Sequence, residues 1–182
     1  MDNDADLALV ARCRKGDWSA FTDLVVRYQR PIYNAAFWIL RRPEDAKDIT
    51  QTVFLKVAER LHEYDPKFKF FSWIYRIAVN ESLNLLRRNG REEALDEEIE
   101  LPGPESDNPE RQANDAEVSR RIEGALMRMS TNDRMVLTLR HFSECSYQEI
   151  AEILKLDEKT VKSRLFEARQ RLRELLADLR TD

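Results

Sequence analysis

Two amphipathic stretches joined by a tight turn, near the end of the 182-residue sequence, constrain the fold more than any other feature. Ser146 and Glu149 have the spacing of a capping box, which predicts that a short helix begins at Tyr147. Asp157 is suited to cap a second helix, in which apolar residues recur every three or four positions from Val161 onward. Because the opposite face of this second helix is basic, the pair is typical of a helix-turn-helix that binds duplex DNA.

The composition favours an all-α fold. Charged residues make up 35% of the chain, glycines number only 4, and no alternating pattern of strand length occurs. The longest apolar stretch, residues 35–40, is too short to span a bilayer, and the acidic start of the sequence lacks the features of a signal peptide. We therefore expect a cytoplasmic protein with reduced cysteines and no membrane partner.

The charge distribution divides the chain into three parts. Residues 91–117 carry a net charge of −9, whereas residues 1–90 carry +3 and residues 118–182 carry +2. The acidic part contains three prolines and almost no apolar residues that could form a core. We predict two small helical domains, residues 1–90 and residues 115–182, joined by an acidic flexible linker over residues 91–114.

Periodicity and proline positions predict the individual helices. In the first domain we expect helices over residues 6–15, from Trp18 to a break at Pro31, from Ile32 onward, after Pro43, and over residues 70–88. In the second domain, helices over residues 115–129 and 133–142 precede the helix-turn-helix.

Residues 67–76 interleave basic and aromatic side chains more densely than any other segment. Aromatic rings stack on unpaired bases, at about 1–3 kcal/mol per base, while lysine and arginine hold the nucleic-acid backbone. The segment therefore suits a surface that captures single-stranded DNA or an extruded base. The alternative is that Phe70, Phe71 and Trp73 fill the core, and we expect some rings inside and some outside.

Three segments resemble the extracytoplasmic-function sigma factors. Residues 71–80, FSWIYRIAVN, run into Leu86, Arg87 and Arg88 and resemble region 2 of that family. Residues 45–54, DAKDITQTVF, resemble its core-polymerase-binding helix, and residues 146–175 resemble region 4. The segments occur in the order of the family, and the similarity covers roughly residues 15–88 and 118–178.

The resemblance implies a bacterial initiation factor that binds the β and β′ subunits of core RNA polymerase and two elements of promoter DNA. The implied −10 contacts are Lys67, Lys69, Phe70, Trp73, Arg76, Asn80, Arg87 and Arg88, and the loop around residues 63–70 would meet the melted −10 strand. The implied −35 contacts are Lys159, Thr160, Lys162, Ser163, Arg164 and Arg169. The implied polymerase contacts are Asp45, Asp48, Gln51 and Phe54. The acidic linker would thread a polymerase channel, whereas composition alone also allows a plain solvated tether.

The polymerase-binding helix departs from the family pattern at Lys47 and Thr52, where the family usually has glutamate. The loss of two carboxylates and the gain of a base should weaken docking on a basic region of the polymerase. A phosphate would restore about −1.5 to −2 charges. Thr52, and as a second candidate Thr50, are therefore predicted to be phosphorylated by a Ser/Thr kinase. The alternative is that Thr52 is a harmless surface substitution.

Other functions agree less well with the sequence. His62, His141, Cys13 and Cys145 do not make a convincing metal site, and no catalytic motif occurs, so we predict no enzyme activity, cofactor or metal. A two-domain helix-turn-helix regulator that acts without core polymerase remains an alternative, as does an adaptor that only sequesters a partner.

An anti-sigma factor is a further candidate partner. Free in solution, the two domains are expected to pack together and hide both DNA surfaces.

Overall fold

A computed structural model of the protein describes residues 3–89 and 121–178, and in these two ranges it contains helices and turns but no strand. The first range contains α1 (Asn3–Cys13), α2 (Trp18–Leu40), α3 (Pro43–Arg60), a 3₁₀ turn (Leu61–Glu63) and α4 (Phe70–Arg88). The second contains α5 (described over residues 121–127), α6 (Thr131–Leu137), a π-helical turn (Thr138–Phe142), α7 (Tyr147–Leu154) and α8 (Glu158–Asp178). The all-α prediction is confirmed, and the predicted linker lies outside the described residues.

Polar side chains fix where several of these helices begin. The Asp17 carboxylate accepts hydrogen bonds from the backbone N–H groups of Ser19 and Ala20, at 3.0 and 3.3 Å, and so caps α2. Ser146 accepts from the N–H of Glu149 at 3.1 Å, and the Glu149 carboxylate accepts from the N–H of Ser146 at 2.7 Å. The capping box predicted for α7 is therefore confirmed.

The predicted break at Pro31 is wrong, because α2 continues through it from Trp18 to Leu40. A proline inside a helix costs about 3 kcal/mol, since it removes one backbone hydrogen bond and crowds the preceding turn. Tyr28 and Ile32, on either side of Pro31, are fully buried, and burying one large apolar side chain contributes about 1.5–3 kcal/mol. The packing of this face therefore outweighs the proline penalty.

Aromatic and ionic contacts hold the first domain together. Phe70 meets Tyr28 and Tyr64 edge to face, with ring centroids 5.5 Å apart in both pairs. The buried Asp6 carboxylate of α1 accepts hydrogen bonds from Arg27 and from the Tyr28 hydroxyl of α2. These contacts tie α1 and α4 to α2, which lies at the centre of the domain.

In the second domain, α8 packs against α6 and α7. Val161, Leu165 and Ala168 of α8 are each at most 1% exposed, and Ile150 and Ile153 of α7 are equally buried. These positions confirm the apolar stripes predicted for the helix-turn-helix. None of the helices in residues 3–89 and 121–178 is both long enough and apolar enough to cross a membrane.

The two domains pack against each other through the C-terminal end of α2. Arg134, on α6, is 2% exposed, and its guanidinium donates to the carbonyls of Trp38 and Ile39 of the first domain and of Met129 of its own domain. Arg41 donates to the same Met129 carbonyl at 3.0 Å. Burial lowers the pKa of Arg134 to about 9, with a smaller effect of the nearby Arg41 charge. The ring of Trp38 in the first domain stacks on that of Phe142 in the second, with the ring centroids 5.1 Å apart. The expected packing of the two domains is therefore observed.

Candidate nucleic-acid and polymerase interfaces

The turn between α7 and α8 sets the geometry of the helix-turn-helix. Lys155 ends α7 in the left-handed conformation, at φ 54°, which reverses the chain within a few residues. Asp157 then caps α8 by accepting from the backbone N–H of Thr160 at 2.7 Å and from its hydroxyl at 2.6 Å. These two hydrogen bonds lower the pKa of Asp157. Thr160, one of the predicted −35 contacts, is thus engaged in the helix cap.

The outward side of α8 holds most of the predicted −35 residues. Lys159, Lys162, Ser163 and Arg169 are exposed, while Arg164 is half-buried at the edge of the helix. Phe166 lies among them with 63% of its surface exposed, although it is a large apolar residue. Sequence reasoning missed Phe166. Its place off the apolar stripe of α8 is a signal that could have identified it.

Lys162 on α8 and Arg140 before α7 are basic residues with defined partners. The Lys162 ammonium lies 2.7 Å from the Glu158 carboxylate and 5.6 Å from the centre of the Tyr147 ring. The guanidinium of Arg140 lies 5.1 Å from the same ring, so Tyr147 has contacts with two cations. These contacts hold Lys162 beside the start of α7. Lys162 therefore lies at the edge of the exposed face of α8 and not at its centre.

The predicted −10 surface is only partly exposed. Lys67, Lys69, Asn80, Arg87 and Arg88 are exposed, whereas Trp73 and Arg76 are half-buried. The ring of Phe70 is fully buried, with 0% exposure, so the structure does not support the prediction that it contacts DNA. The burial of Phe70 between Tyr28, Tyr64 and Trp73 gives the physical reason.

Phe68 replaces Phe70 as the exposed ring of the aromatic–basic segment. It is 51% exposed and lies between Lys67 and Lys69 in the loop that precedes α4. The Tyr64 hydroxyl donates to the Phe68 carbonyl at 2.5 Å, which holds this loop against the domain. Sequence reasoning did not single out Phe68, because a run of three phenylalanines in four positions does not reveal which ring lies inside.

Lys69 connects the candidate −10 surface to the second domain. Its ammonium lies 2.8 Å from the carboxylate of Glu149, the same side chain that completes the capping box of α7. This hydrogen bond and charge raise the pKa of Lys69. The packed arrangement therefore occupies one predicted −10 residue. It does not cover the outward face of α8, so the expectation that packing hides both DNA surfaces is wrong for this helix.

The predicted polymerase-binding residues lie on α3. Asp48 and Gln51 are exposed and Asp45 is half-buried, whereas Phe54 is 9% exposed and belongs to the core. The prediction that Phe54 contacts the polymerase is therefore not supported. Leu55, which the prediction omitted, is 66% exposed one turn beyond Gln51.

The candidate phosphorylation sites on α3 differ in their hydrogen bonds. Both Thr50 and Thr52 are half-buried. The Thr50 hydroxyl donates to the Ala46 carbonyl at 2.7 Å. Lys47 contacts Glu44 at 3.0 Å, so this added base lies next to an acidic residue of its own helix.

The described residues contain no cluster of three or more histidine, cysteine, aspartate or glutamate side chains with metal-binding geometry. Cys145 is 1% exposed and fills the core as a small apolar residue, and its burial raises the pKa of the thiol to about 12.

Family models match both domains of the chain. Residues 24–92 match sigma-70 region 2, and residues 119–172 match sigma-70 region 4. The sequence is 32% identical to the extracytoplasmic-function sigma factor SigW of Bacillus subtilis (strain 168), over 93% of this chain and 96% of that protein. This chain belongs to the extracytoplasmic-function branch of the sigma-70 family.

Other relatives agree with this assignment. The sigma factor is 34% identical to the sigma-E factor of Escherichia coli (strain K12), over 91% of each chain. The solved structure of CnrH, in complex with the cytosolic domain of CnrY, superposes with a TM-score of 0.73 at 27% identity and covers 96% of this chain and 98% of that one. The sigma factor RpoE of Bartonella quintana, solved with the anti-sigma factor NepR, has the same fold at 23% identity and a TM-score of 0.72, over 86% of this chain and 96% of that one. The protein is thus an alternative sigma factor for promoter recognition by RNA polymerase.

Proposed function

We propose that the first domain of this sigma factor binds the melted −10 strand and that α8 binds the −35 element in the major groove. The exposed ring of Phe166, between basic residues on the outward face of α8, is the observation that best supports this assignment. Apolar side chains recognise the methyl group of thymine, and flanking lysine and arginine bind phosphates. On the −10 side, Phe68 takes the place of Phe70 as the candidate base-stacking ring, and Lys67, Trp73, Arg76 and Asn80 remain candidate contacts.

Photocrosslinking tests both assignments at once. A photoreactive phenylalanine analogue is placed at Phe68 or at Phe166, and each sigma factor is assembled with core polymerase on a promoter. The Phe68 variant should crosslink to single-stranded DNA of the −10 element, and the Phe166 variant to duplex at the −35 element. If both variants crosslink to the same duplex segment, a regulator that binds only duplex DNA becomes the better account.

Asp45, Asp48, Gln51 and Leu55 are the proposed polymerase contacts on α3. Leu55 replaces the buried Phe54 as the apolar member of this set, because it is 66% exposed. A patch with one apolar side chain and several polar neighbours is usual at protein interfaces. Leu55→Ala should weaken binding to core polymerase, while Phe54→Ala should chiefly lower the free energy of unfolding of the free protein.

The regulatory part of the proposal is phosphorylation of Thr52 by a Ser/Thr kinase. Lys56, one helical turn beyond Thr52, contacts Glu81 at 2.7 Å. A phosphate on Thr52 would add negative charge near Lys56 and on the side of α3 that should meet a basic polymerase surface. Thr50 is the less suitable site, since its hydroxyl is already bonded to the Ala46 carbonyl.

Two substitutions test this switch. Thr52→Glu should raise promoter activity in cells and binding to core polymerase, whereas Thr52→Ala should lower activity wherever the kinase is active. Thr50→Ala serves as the matched control. Full activity of the Thr52→Ala protein, together with no gain in the Thr52→Glu protein, would leave Thr52 as an ordinary surface residue.

The packed arrangement of the domains must open for promoter binding. The −10 and −35 elements lie more than two helical turns apart, or about 70 Å. In the packed arrangement, Lys69 of the first domain and Glu149 of the second are 2.8 Å apart. The closed form therefore competes with simultaneous binding of both elements. The CnrH structure contains the cytosolic domain of CnrY, and the RpoE structure contains the anti-sigma factor NepR. An anti-sigma factor is therefore a candidate partner of this sigma factor in the cytoplasm.

A further inference from the structure

An acidic side chain lies in the middle of the outward face of α8. Lys159, Ser163 and Glu167 follow one another at intervals of four residues, which places them in one row along the helix. All three are exposed, and the Glu167 side chain is 57% exposed. Val161 and Ala168, on the buried side, are 0% exposed, so this row points away from the domain.

Glu167 is only weakly engaged by its own helix. The guanidinium of Arg171 is 4.0 Å from its carboxylate, at the outer limit of an ion pair. Arg171 instead bonds to the buried carboxylate of Asp133, which raises the pKa of Arg171. The Glu167 carboxylate therefore keeps lone pairs that can accept hydrogen bonds from a partner outside the chain.

A carboxylate in the major groove is repelled by the phosphates and by most base edges. Guanine presents the acceptors N7 and O6, and thymine presents O4, so each of these bases repels it. Adenine has a donor at N6, but the acceptor N7 lies beside it. Cytosine presents the N4 amino donor without an adjacent acceptor on the same base, and it is the base to which glutamate side chains bind.

We propose that Glu167 is a specificity-determining residue that selects cytosine at one position of the −35 element by accepting a hydrogen bond from its N4 amino group. This inference rests on the proposed function of α8 as the −35 recognition helix. Guanine and thymine offer the carboxylate no donor, and adenine places the acceptor N7 beside its donor, so Glu167 acts mainly by rejecting these three bases.

The test is a selection of promoters by the complete holoenzyme. Core polymerase with the unmodified sigma factor, or with Glu167→Ala or Glu167→Gln, selects from a duplex library that is randomised over both promoter elements. A good base contact gives a discrimination of about 1–3 kcal/mol, or about 5- to 150-fold. We expect cytosine enrichment of this size at one −35 position with the unmodified protein, and less than about twofold enrichment with Glu167→Ala.

Glu174→Ala is the matched control, because Glu174 is also an exposed glutamate of α8 but lies two turns farther from the helix start. It should leave all base preferences unchanged. The inference is overturned if Glu167→Ala strengthens binding equally for all sequences, or if the unmodified protein shows no preference for cytosine. If Ser163→Ala and Phe166→Ala also leave every −35 preference unchanged, the proposed function of α8 itself fails.

Discussion

The contact between the domains can be weakened without damage to either domain. Arg41 ends α2 in the left-handed conformation at φ 63°, and its guanidinium donates to the Met129 carbonyl of the second domain. Glycine is favoured at such a helix end, since a side chain there costs about 1–2 kcal/mol. Arg134 also donates to Met129, so Arg41→Gly leaves that carbonyl with a partner. Phe142→Ala removes the stacking on Trp38.

The size of the effect follows from the contacts that are lost. A hydrogen bond from a charged donor contributes about 1.5–3 kcal/mol. An aromatic pair contributes about 0.5–1.5 kcal/mol beyond its buried area. The contribution of the hydrogen bond from Arg41 to Met129 is partly offset by the cost of burying the Arg41 guanidinium. This burial lowers the pKa of Arg41, and its Nε lacks a partner among the described residues. The double variant should therefore weaken the closed form by about 2 kcal/mol, which corresponds to a factor of about 30 in its population relative to the open form.

Two measurements test this effect. Small-angle X-ray scattering of the free double variant should give a larger radius of gyration than that of the unmodified protein. Titration of labelled DNA that carries both promoter elements with the holoenzyme should give up to a 30-fold tighter apparent affinity, because the apparent affinity rises with the fraction of molecules in the open form. The control Arg41→Lys/Phe142→Tyr keeps a donor and a ring, so it should behave as the unmodified protein. An unchanged radius together with an unchanged affinity would refute the competition between closure and simultaneous binding of both promoter elements.

Five further substitutions test other parts of the structure. Arg134→Met should lower the free energy of unfolding by about 2–4 kcal/mol in urea titrations, since buried carbonyls lose their donor, whereas the exposed Arg128→Met should change it by less than about 0.5 kcal/mol. Phe70→Ala should cost about 3–5 kcal/mol of stability, whereas Phe68→Ala should retain stability and reduce promoter melting measured with permanganate. Hydrogen bonds from Ser19 and Arg12 lower the pKa of Asp17 to about 2, so the stabilising effect of its charge is present above pH 4 and is lost as the pH falls toward 2. Asp17→Asn should retain the cap and remove this part of the acid dependence.

Local patterns were enough to predict much of the fold. The capping box of Ser146 and Glu149 and the cap at Asp157 depend on residues within three positions, so the sequence reveals them directly. The break at Pro31 was wrong because the gain from burying Tyr28 and Ile32 depends on distant helices. Local propensity is regularly overridden in this way by tertiary packing.

The candidate sites were less predictable than the helices. Phe70 and Phe54 were assigned to surfaces but lie in the core, and Phe68, Leu55 and Phe166 are the exposed apolar residues nearby. Successive residues on a helix differ in direction by about 100°, so Phe54 of α3 lies inside while its neighbour Leu55 lies outside.

The contact between the domains lies beyond what local patterns reveal. It depends on Arg134 reaching the carbonyls of Trp38 and Ile39, which are 95 or more residues away in sequence. A buried arginine among backbone carbonyls also has no sequence signature of its own, because its partners are main-chain groups.

The central claim is that this chain enables core RNA polymerase to start transcription at promoters with two recognised elements. The most direct measurement is transcription in vitro from genomic DNA fragments, with core polymerase and either the unmodified sigma factor or its Thr52→Glu variant, followed by mapping of the transcript 5′ ends. We predict transcripts that begin at a fixed distance downstream of a shared pair of −35 and −10 sequences and that depend on the added protein. Binding to duplex DNA without any such transcript, for both proteins, would contradict the claim and would favour a regulator that acts without core polymerase.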